Sequence, residues 1–283
     1  MSQPAPALEK LKILVLHDSK NLTQIPNLSR AINIEIICLT GCTSLVQVPS
    51  YFMDLHKLWY LSLMDCSNLV DVEGLSKNLV DLYLDGTAME KFPEILEPME
   101  RLIVISLRGS MIKELPQSSI ENLNALSELD LSRCKNIEFL LSDLCCLRNI
   151  DKLVELKVSY CENLESIPEL PPSLKYLEVR FCENLKSIQK LPPSLRILDA
   201  RDCKSLEKIS SWRRTPLKQE HECFLCMSCS YRFDNCQKLD RNTRNNIISG
   251  GASLEILSVA RSARKLESKC DHVYFLLLAK FGL

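Results

Sequence analysis

The sequence predicts an α/β solenoid, a horseshoe with a parallel β-sheet on its concave side and short helices and loops on its convex side. Three observations carry that expectation. From Leu153 to Ile209 one frame is written three times. It runs Leu153-x-x-Leu156-x-Val158-x-x-Cys161-x-x-Leu164-x-x-Ile167, then Leu174, Leu177, Val179, Cys182, Leu185 and Ile188, then Leu195, Leu198, Ala200, Cys203, Leu206 and Ile209. Two copies are joined to their predecessors by the same linker, Leu170-Pro171-Pro172-Ser173 and Leu191-Pro192-Pro193-Ser194. The composition suits such a stack, with 46% hydrophobic residues but only 6% aromatic. A period in the low twenties built on L-x-x-L-x-L-x-x-C is the leucine-rich-repeat signature, and no single repeat of that kind can bury its apolar face alone.

In chain order the frame begins with Leu11, Leu14, Leu16, Ser19 and Leu22. Ile34, Ile37, Leu39, Cys42 and Leu45 form the second coil, and Leu58, Leu61, Leu63, Cys66 and Leu69 the third. The fourth is a residue shorter: Leu79, Leu82, Leu84, Thr87 and Met89. Leu102, Ile105, Leu107, Ser110 and Ile112 follow, then Leu126, Leu129, Leu131, Cys134 and Ile137. With the three clear copies this makes about nine coils over residues 1–209. Each x-L-x-L-x core should be a short strand with its leucines inward. The segments Ser50–His56, Glu94–Arg101, Ser118–Ala125 and Ser142–Lys152 have room for a helical turn. The Pro-Pro linkers fix φ and remove amide donors, so the last coils should have an extended convex edge.

After Ile209 the leucine frame stops, and residues 210–283 read as a post-repeat segment, the start of a truncated C-terminal domain. Asp240–Ser249 and Ala252–Ser268 can each be helical, with Gly250-Gly251 between them as a breaker. Arg261, Arg264 and Lys265 fit a solvated helix face.

Net charge is −1, so no global field attracts nucleic acid or an anionic membrane. Met1–Pro6 lacks the basic and apolar regions of a signal peptide, and Val273–Ala279 is too short to cross a bilayer. An intracellular, cytoplasmic or nuclear, protein is expected, with its 14 cysteines mostly thiols. Cys42, Cys66, Cys134, Cys161, Cys182 and Cys203 share one frame position, where Ser19, Thr87 and Ser110 substitute. That pattern favours buried thiols over a disulfide or metal ladder.

Three features of the sequence bear on chemistry. Gly250-Gly251 is followed by Ala252-Ser253, not by Lys-Ser/Thr, so no phosphate cradle exists and no nucleotide or other cofactor is expected. His17, His56, His221 and His272 are scattered and define no nucleophile–base pair. His221-x-Cys223-x-x-Cys226-x-x-Cys229 has metal-ligand spacing but no second C-x-x-C pair at finger distance, so no metal site is assigned. No enzymatic activity is expected.

What remains is recognition by the outward residues between the strand leucines. They are apolar in the first three coils (Ile13, Val15, Ile36, Tyr60) and charged from the fourth onward. The candidate partner-binding residues are Tyr83, Asp85, Arg108, Asp130, Lys157, Tyr176, Glu178, Arg180, Asp199 and Arg201. Lys157 and Glu178 are placed to pair laterally. An apolar stretch of sheet facing water suggests a cover.

The segments Asn21–Pro49 and Tyr83–Pro93 and the LPPSL linkers resemble the repeat region of plant intracellular immune receptors of the TIR, nucleotide-binding, leucine-rich-repeat class. FDNCQKLDRNTRNNIIS (Phe233–Ser249) resembles the start of their post-repeat domain. The resemblance implies sensing of a pathogen effector or guarded host protein, with the receptor's nucleotide-binding domain over the N-terminal repeats. The alternative is an extracellular receptor ectodomain binding a peptide or glycan. It would want Asn in place of the Cys ladder and Gly-x-Ile-Pro after each turn, whereas this chain has only 7 glycines.

Overall fold

The computed structural model describes residues 8–140, 151–211 and 230–249. Its main feature is one ten-stranded parallel sheet laid down in strict chain order. The strands are β1 (Ile13–Val15), β2 (Ile36–Cys38), β3 (Tyr60–Ser62), β4 (Asp81–Tyr83) and β5 (Val104–Ser106). They continue with β6 (Glu128–Asp130), β7 (Glu155–Lys157), β8 (Tyr176–Glu178), β9 (Ile197–Asp199) and β10 (Ser230–Arg232). Each is three residues long because only the x-L-x core of the frame alternates. The central residues, Leu14, Ile37 and Leu61 through Leu177 and Leu198, stand in register across the sheet. From the second coil to the ninth the frame leucines and isoleucines pack into one continuous buried core.

Every strand ends in the same turn. Asp18, Gly41, Asp65, Gly86, Gly109, Arg133, Tyr160, Phe181, Asp202 and Asn235 all have φ between 53 and 75°. Left-handed backbone costs an L-residue about 1–2 kcal/mol, which Gly avoids and Asn or Asp tolerate. The cost is met by a ladder of its own. From Asp18 to Asp202 each of these residues donates its N–H to a carbonyl of the next coil, at 2.7–3.0 Å. Gly86 has a second reason to lack a side chain: an added Cβ would lie 2.7 Å from Asp65 Oδ1.

The residue after the left-handed position explains the cysteines. Cys42, Cys66, Cys134, Cys161, Cys182, Cys203 and Cys236 each donate their S–H to a strand-end carbonyl of the preceding coil, at 2.8–3.2 Å. A small donor is required there, and Thr87 satisfies it differently by bonding the Leu84 carbonyl of its own coil at 2.8 Å. The eight described cysteines are free thiols. Burial pushes Cys66 up to about 12, Cys134 up to about 11 and Cys236 up to about 12. Since the thiolate is the nucleophile, brief treatment of native protein with iodoacetamide is expected to leave Cys66, Cys134 and Cys236 unmodified until denaturant is added. Native labelling of these sites, read by peptide mass spectrometry, would show that the ladder opens.

The convex side follows the linkers. A 3₁₀ turn covers Ser50–Asp54 and a single α-helical turn, α1, covers Gln117–Glu121. Glu94–Arg101, expected to hold a helical turn, does not. Pro98 bars helical backbone at Glu97 and withholds a donor, and the segment runs irregularly. Ser142–Lys152 lies largely outside the described residues. Along the last coils Ser166–Ile167, Ser187–Lys190 and Lys208–Ser211 form a parallel three-stranded ribbon. This is the extended edge that the Pro-Pro linkers call for.

The repeat frame does not stop at Ile209. β10 adds to the sheet beside β9, and Phe233, Cys236 and Leu239 fill the core positions of a tenth coil. Tyr231 takes the central leucine's place and its hydroxyl donates to the Leu195 carbonyl at 2.6 Å. The helix α2 (Arg241–Ser249) then begins with Asp240 as its cap, whose carboxylate accepts the Thr243 N–H at 2.6 Å. Ala252–Ser268 lies outside the described residues.

Candidate recognition surface

Strict register turns the outward residues into rows. One row, the last residue of each strand, reads Tyr83, Ser106, Asp130, Lys157, Glu178, Asp199 and Arg232. A second, the first residue of each strand, reads Asp81, Val104, Glu128, Glu155, Tyr176 and Ile197. Asp85, Arg108, Arg180 and Arg201 stand just beyond the strand ends. The concave sheet therefore brings all ten sequence-predicted residues onto one face.

They differ in what they offer a partner. The Tyr83 ring lies 5.6 Å from that of Tyr60. Tyr83, Asp130 and Lys157 meet, with Glu128 and Glu155, around a shallow cavity of about 150 Å³. Asp85 is buried, and its Oδ1 accepts the Ser106 hydroxyl and, at 2.8 Å, the Arg108 N–H. Burial holds its carboxyl above the ordinary range. The Arg108 side chain itself is exposed.

In the later coils the charges are bound to one another. Glu178 accepts from Ser159 Oγ at 2.9 Å, from the Tyr176 hydroxyl at 2.7 Å and from Arg180 Nε at 3.0 Å. Burial alone would raise its carboxyl, but these three donors together hold it below its ordinary value. Asp199 is buried and forked by Arg201, at 2.9 Å from Nε and 2.7 Å from Nη2. Lys157 and Glu178 stand on adjacent strands yet do not pair; Lys157 Nζ bonds Glu155 within its own strand at 2.6 Å. Three side chains already donate to Glu178, and Glu155 lies within reach of Lys157 two residues back on the same strand.

The rim above these strands holds residues that the alternation of the strands cannot reveal. Arg133, Tyr160 and Phe181 occupy the left-handed position of three successive coils, where the other seven coils carry Gly, Asp or Asn. Tyr160 and Phe181 stack at 4.7 Å and 12°, and the Arg133 guanidinium lies 5.1 Å over the Tyr160 ring. Both residues are 38% exposed. The signal was in the sequence: a bulky residue directly before the ladder cysteine, in a backbone that disfavours it.

At the other end Ile13 and Val15 are 55% and 48% exposed. Leu8, Leu11, Leu14, Leu16 and Leu22 are only partly buried, because among the described residues β1 has a neighbour on one side alone. Among the described residues no group of His, Cys, Asp and Glu is arranged to hold a metal ion, and no helix is long and apolar enough to cross a membrane. His221, Cys223, Cys226 and Cys229 lie outside the described residues. The arrangement is one of paired charges and exposed rings on a ten-stranded parallel sheet.

No family model matches the chain. Curated relatives do. The Arabidopsis thaliana disease resistance protein RPP2A is 38% identical over 131 residues, covering 46% of this chain and 10% of that protein. RPS4B is 31% identical over 128 residues, covering 45% and 11%, and RML1B is 33% identical over 192 residues, covering 59% and 18%. The chain thus spans about a tenth of the length of the first two. Among solved structures, the leucine-rich repeat domain of the type III effector XopL superposes with a TM-score of 0.54 at 22% identity, covering 74% of this chain and 73% of that one. That likeness shows the fold: a leucine-rich-repeat solenoid. The homologues are Arabidopsis disease resistance proteins of the TIR, nucleotide-binding, leucine-rich-repeat class, matching about half the chain.

Proposed function

We propose that the chain is the recognition module of a plant intracellular immune receptor, binding a pathogen effector or a guarded host protein and catalysing nothing. The observation that carries this reading is the Arg133–Tyr160–Phe181 stack. Three successive coils accept strained backbone to display two rings and a guanidinium to solvent. Backbone strain of this kind persists at ligand clamps and functional sites, and Tyr and Arg are frequent interface anchors. The rim continues into Lys157, Tyr176, Glu178, Arg180 and Arg201, which offer a partner pre-ordered charge. Tyr83, Arg108 and Asp130 extend the contact surface, while Asp85 and Asp199 hold neighbours in place from beneath.

On this reading residues 1–209 with the tenth coil form the repeat domain, and α2 opens the post-repeat domain. The apolar rows of β1 to β3 then meet the receptor's nucleotide-binding domain, and the protein works in the cytoplasm or nucleus. Homology to disease resistance proteins supports the setting. The test is site-specific photocrosslinking of the chain expressed in leaf tissue challenged with pathogen, with a benzophenone residue at position 160 or, as control, in place of exposed Gln189 on the convex ribbon. A crosslinked partner is expected from position 160 and absent from position 189. Equal crosslinking from both would sink the assignment.

A further inference from the structure

On the side opposite the concave sheet, the connecting segments that follow the second, third and fourth coils enclose a groove of about 340 Å³. We propose that this groove is a second docking site, which takes a basic amphipathic segment of a partner protein: one or two large apolar side chains flanked by Lys or Arg.

The groove is built, not left over. Gly74 lets its segment pass directly over the Ser50 carbonyl, to whose oxygen an added Cβ would stand 2.6 Å. The segment beyond it is pinned on both sides of Leu96. The Ile95 N–H donates to Ser119 Oγ at 3.1 Å, Asn122 Nδ2 donates to the Ile95 carbonyl at 2.7 Å, and the Met99 N–H donates to the Asn122 carbonyl at 2.7 Å. Leu96 is thereby held outward on fixed backbone, 82% exposed, beside exposed Met53 and half-buried Leu75. A large aliphatic side chain displayed from a pinned segment beside a concavity is what an apolar anchor needs.

The charge around it selects the occupant. Asp54, Glu73, Glu94 and Glu97 rim the groove against Lys77 and His56. None of the four carboxylates makes an ion pair among the described residues, although surface carboxylates elsewhere on this solenoid do, as in Lys113–Glu90 at 2.6 Å and Lys204–Glu183 at 2.8 Å. An apolar floor inside an unneutralised acidic rim complements an apolar anchor between cationic residues, with the rim charges steering its approach.

The experiment uses the whole chain and three fluorescein-labelled synthetic peptides: an amphipathic Leu/Lys peptide, the same with Glu for Lys, and the same with Ser for Leu. Anisotropy titration is expected to show saturable binding of the Leu/Lys peptide alone. Leu96→Asp, and separately Glu94→Lys with Glu97→Lys, should each weaken it at least about tenfold, as loss of an interface anchor does. Both sites are exposed, and unchanged thermal melts will establish that the variants fold. Glu207→Gln, at an exposed position in the ninth coil outside the groove, should leave the affinity unchanged. Three results would each overturn the proposal: equal binding by the groove variants, equal binding of the Leu-free peptide, or equal loss on Glu207→Gln. Self-association of the wild type that Leu96→Asp abolishes would do so too, by assigning the groove to a second copy.

Discussion

Glu178→Ala is expected to melt the C-terminal coils before the rest of the solenoid, at a cost of about 3 kcal/mol. The carboxylate is the common acceptor of Ser159, Tyr176 and Arg180, and its side chain is 12% exposed. Removing one partner of a largely buried ionic cluster leaves the others unpaired, and such losses run to about 3–5 kcal/mol. The partly exposed Arg180 can turn to water, which puts the figure at the lower end. Because each coil touches only its neighbours, the loss should appear as a separate early transition rather than a uniform shift. Glu178→Gln keeps an acceptor oxygen and should cost about 1 kcal/mol. The pH dependence has a fixed sign. The folded pKa lies below the unfolded value of about 4.3, so this stabilisation is complete above that value and lost as pH falls through the folded one. Asp85 behaves oppositely: burial raises its folded pKa, so its contribution is present at low pH and lost as pH rises through the folded value. Asp85→Asn keeps the acceptor for Ser106 and Arg108 and is the control expected to raise Tm at neutral pH. Thermal melts by circular dichroism at pH 7, 5 and 3.5 check both. A Glu178→Ala protein melting like wild type at pH 7 would show that the cluster is decorative.

The coil-level fold was legible because one physical rule repeats. A leucine every second residue fixes a strand, a small donor after the turn fixes the intercoil bond, and Pro-Pro fixes the extended convex edge. What the frame cannot carry is anything decided by side-chain reach. Lys157 and Glu178 share a register position, which invited a lateral pair, but the donors already on Glu178 and the nearness of Glu155 decided otherwise. The tenth coil escaped because Tyr231 and Phe233 stand where the frame expects aliphatic residues. Glu94–Arg101 had the length for a helical turn, and Pro98 overruled length. The rim stack was missed for a different reason. Alternation marks residues that point outward from strands, and Arg133, Tyr160 and Phe181 sit one position past it, where backbone conformation carries the information.

The second large effect concerns the open end of the sheet. The full chain, purified at micromolar concentration, is expected to self-associate through β1. In the second to ninth coils the frame leucines are buried to near completion, whereas Leu11, Leu14, Leu16 and Leu22 are only partly so. Full burial of a leucine is worth about 1.5–3 kcal/mol, so each half-covered one leaves on the order of 1 kcal/mol available to any surface that covers it. Ile13 and Val15, 55% and 48% exposed, add to the same end. Among the described residues β1 bonds β2 on one side only, and such an edge presents unpaired backbone groups that can template another strand. Apolar side chains and an open edge meet on this one three-residue strand, whereas the other terminal strand, β10, is Ser230-Tyr231-Arg232 and lacks exposed aliphatic residues. Ile13→Lys with Val15→Glu should shift the sedimentation profile toward monomer, and a polar capping repeat fused ahead of Ala7 should do so completely. Sedimentation velocity across about a hundredfold concentration range gives the answer. A wild-type chain that stays monomeric throughout would remove the physical ground for expecting a partner over β1 to β3.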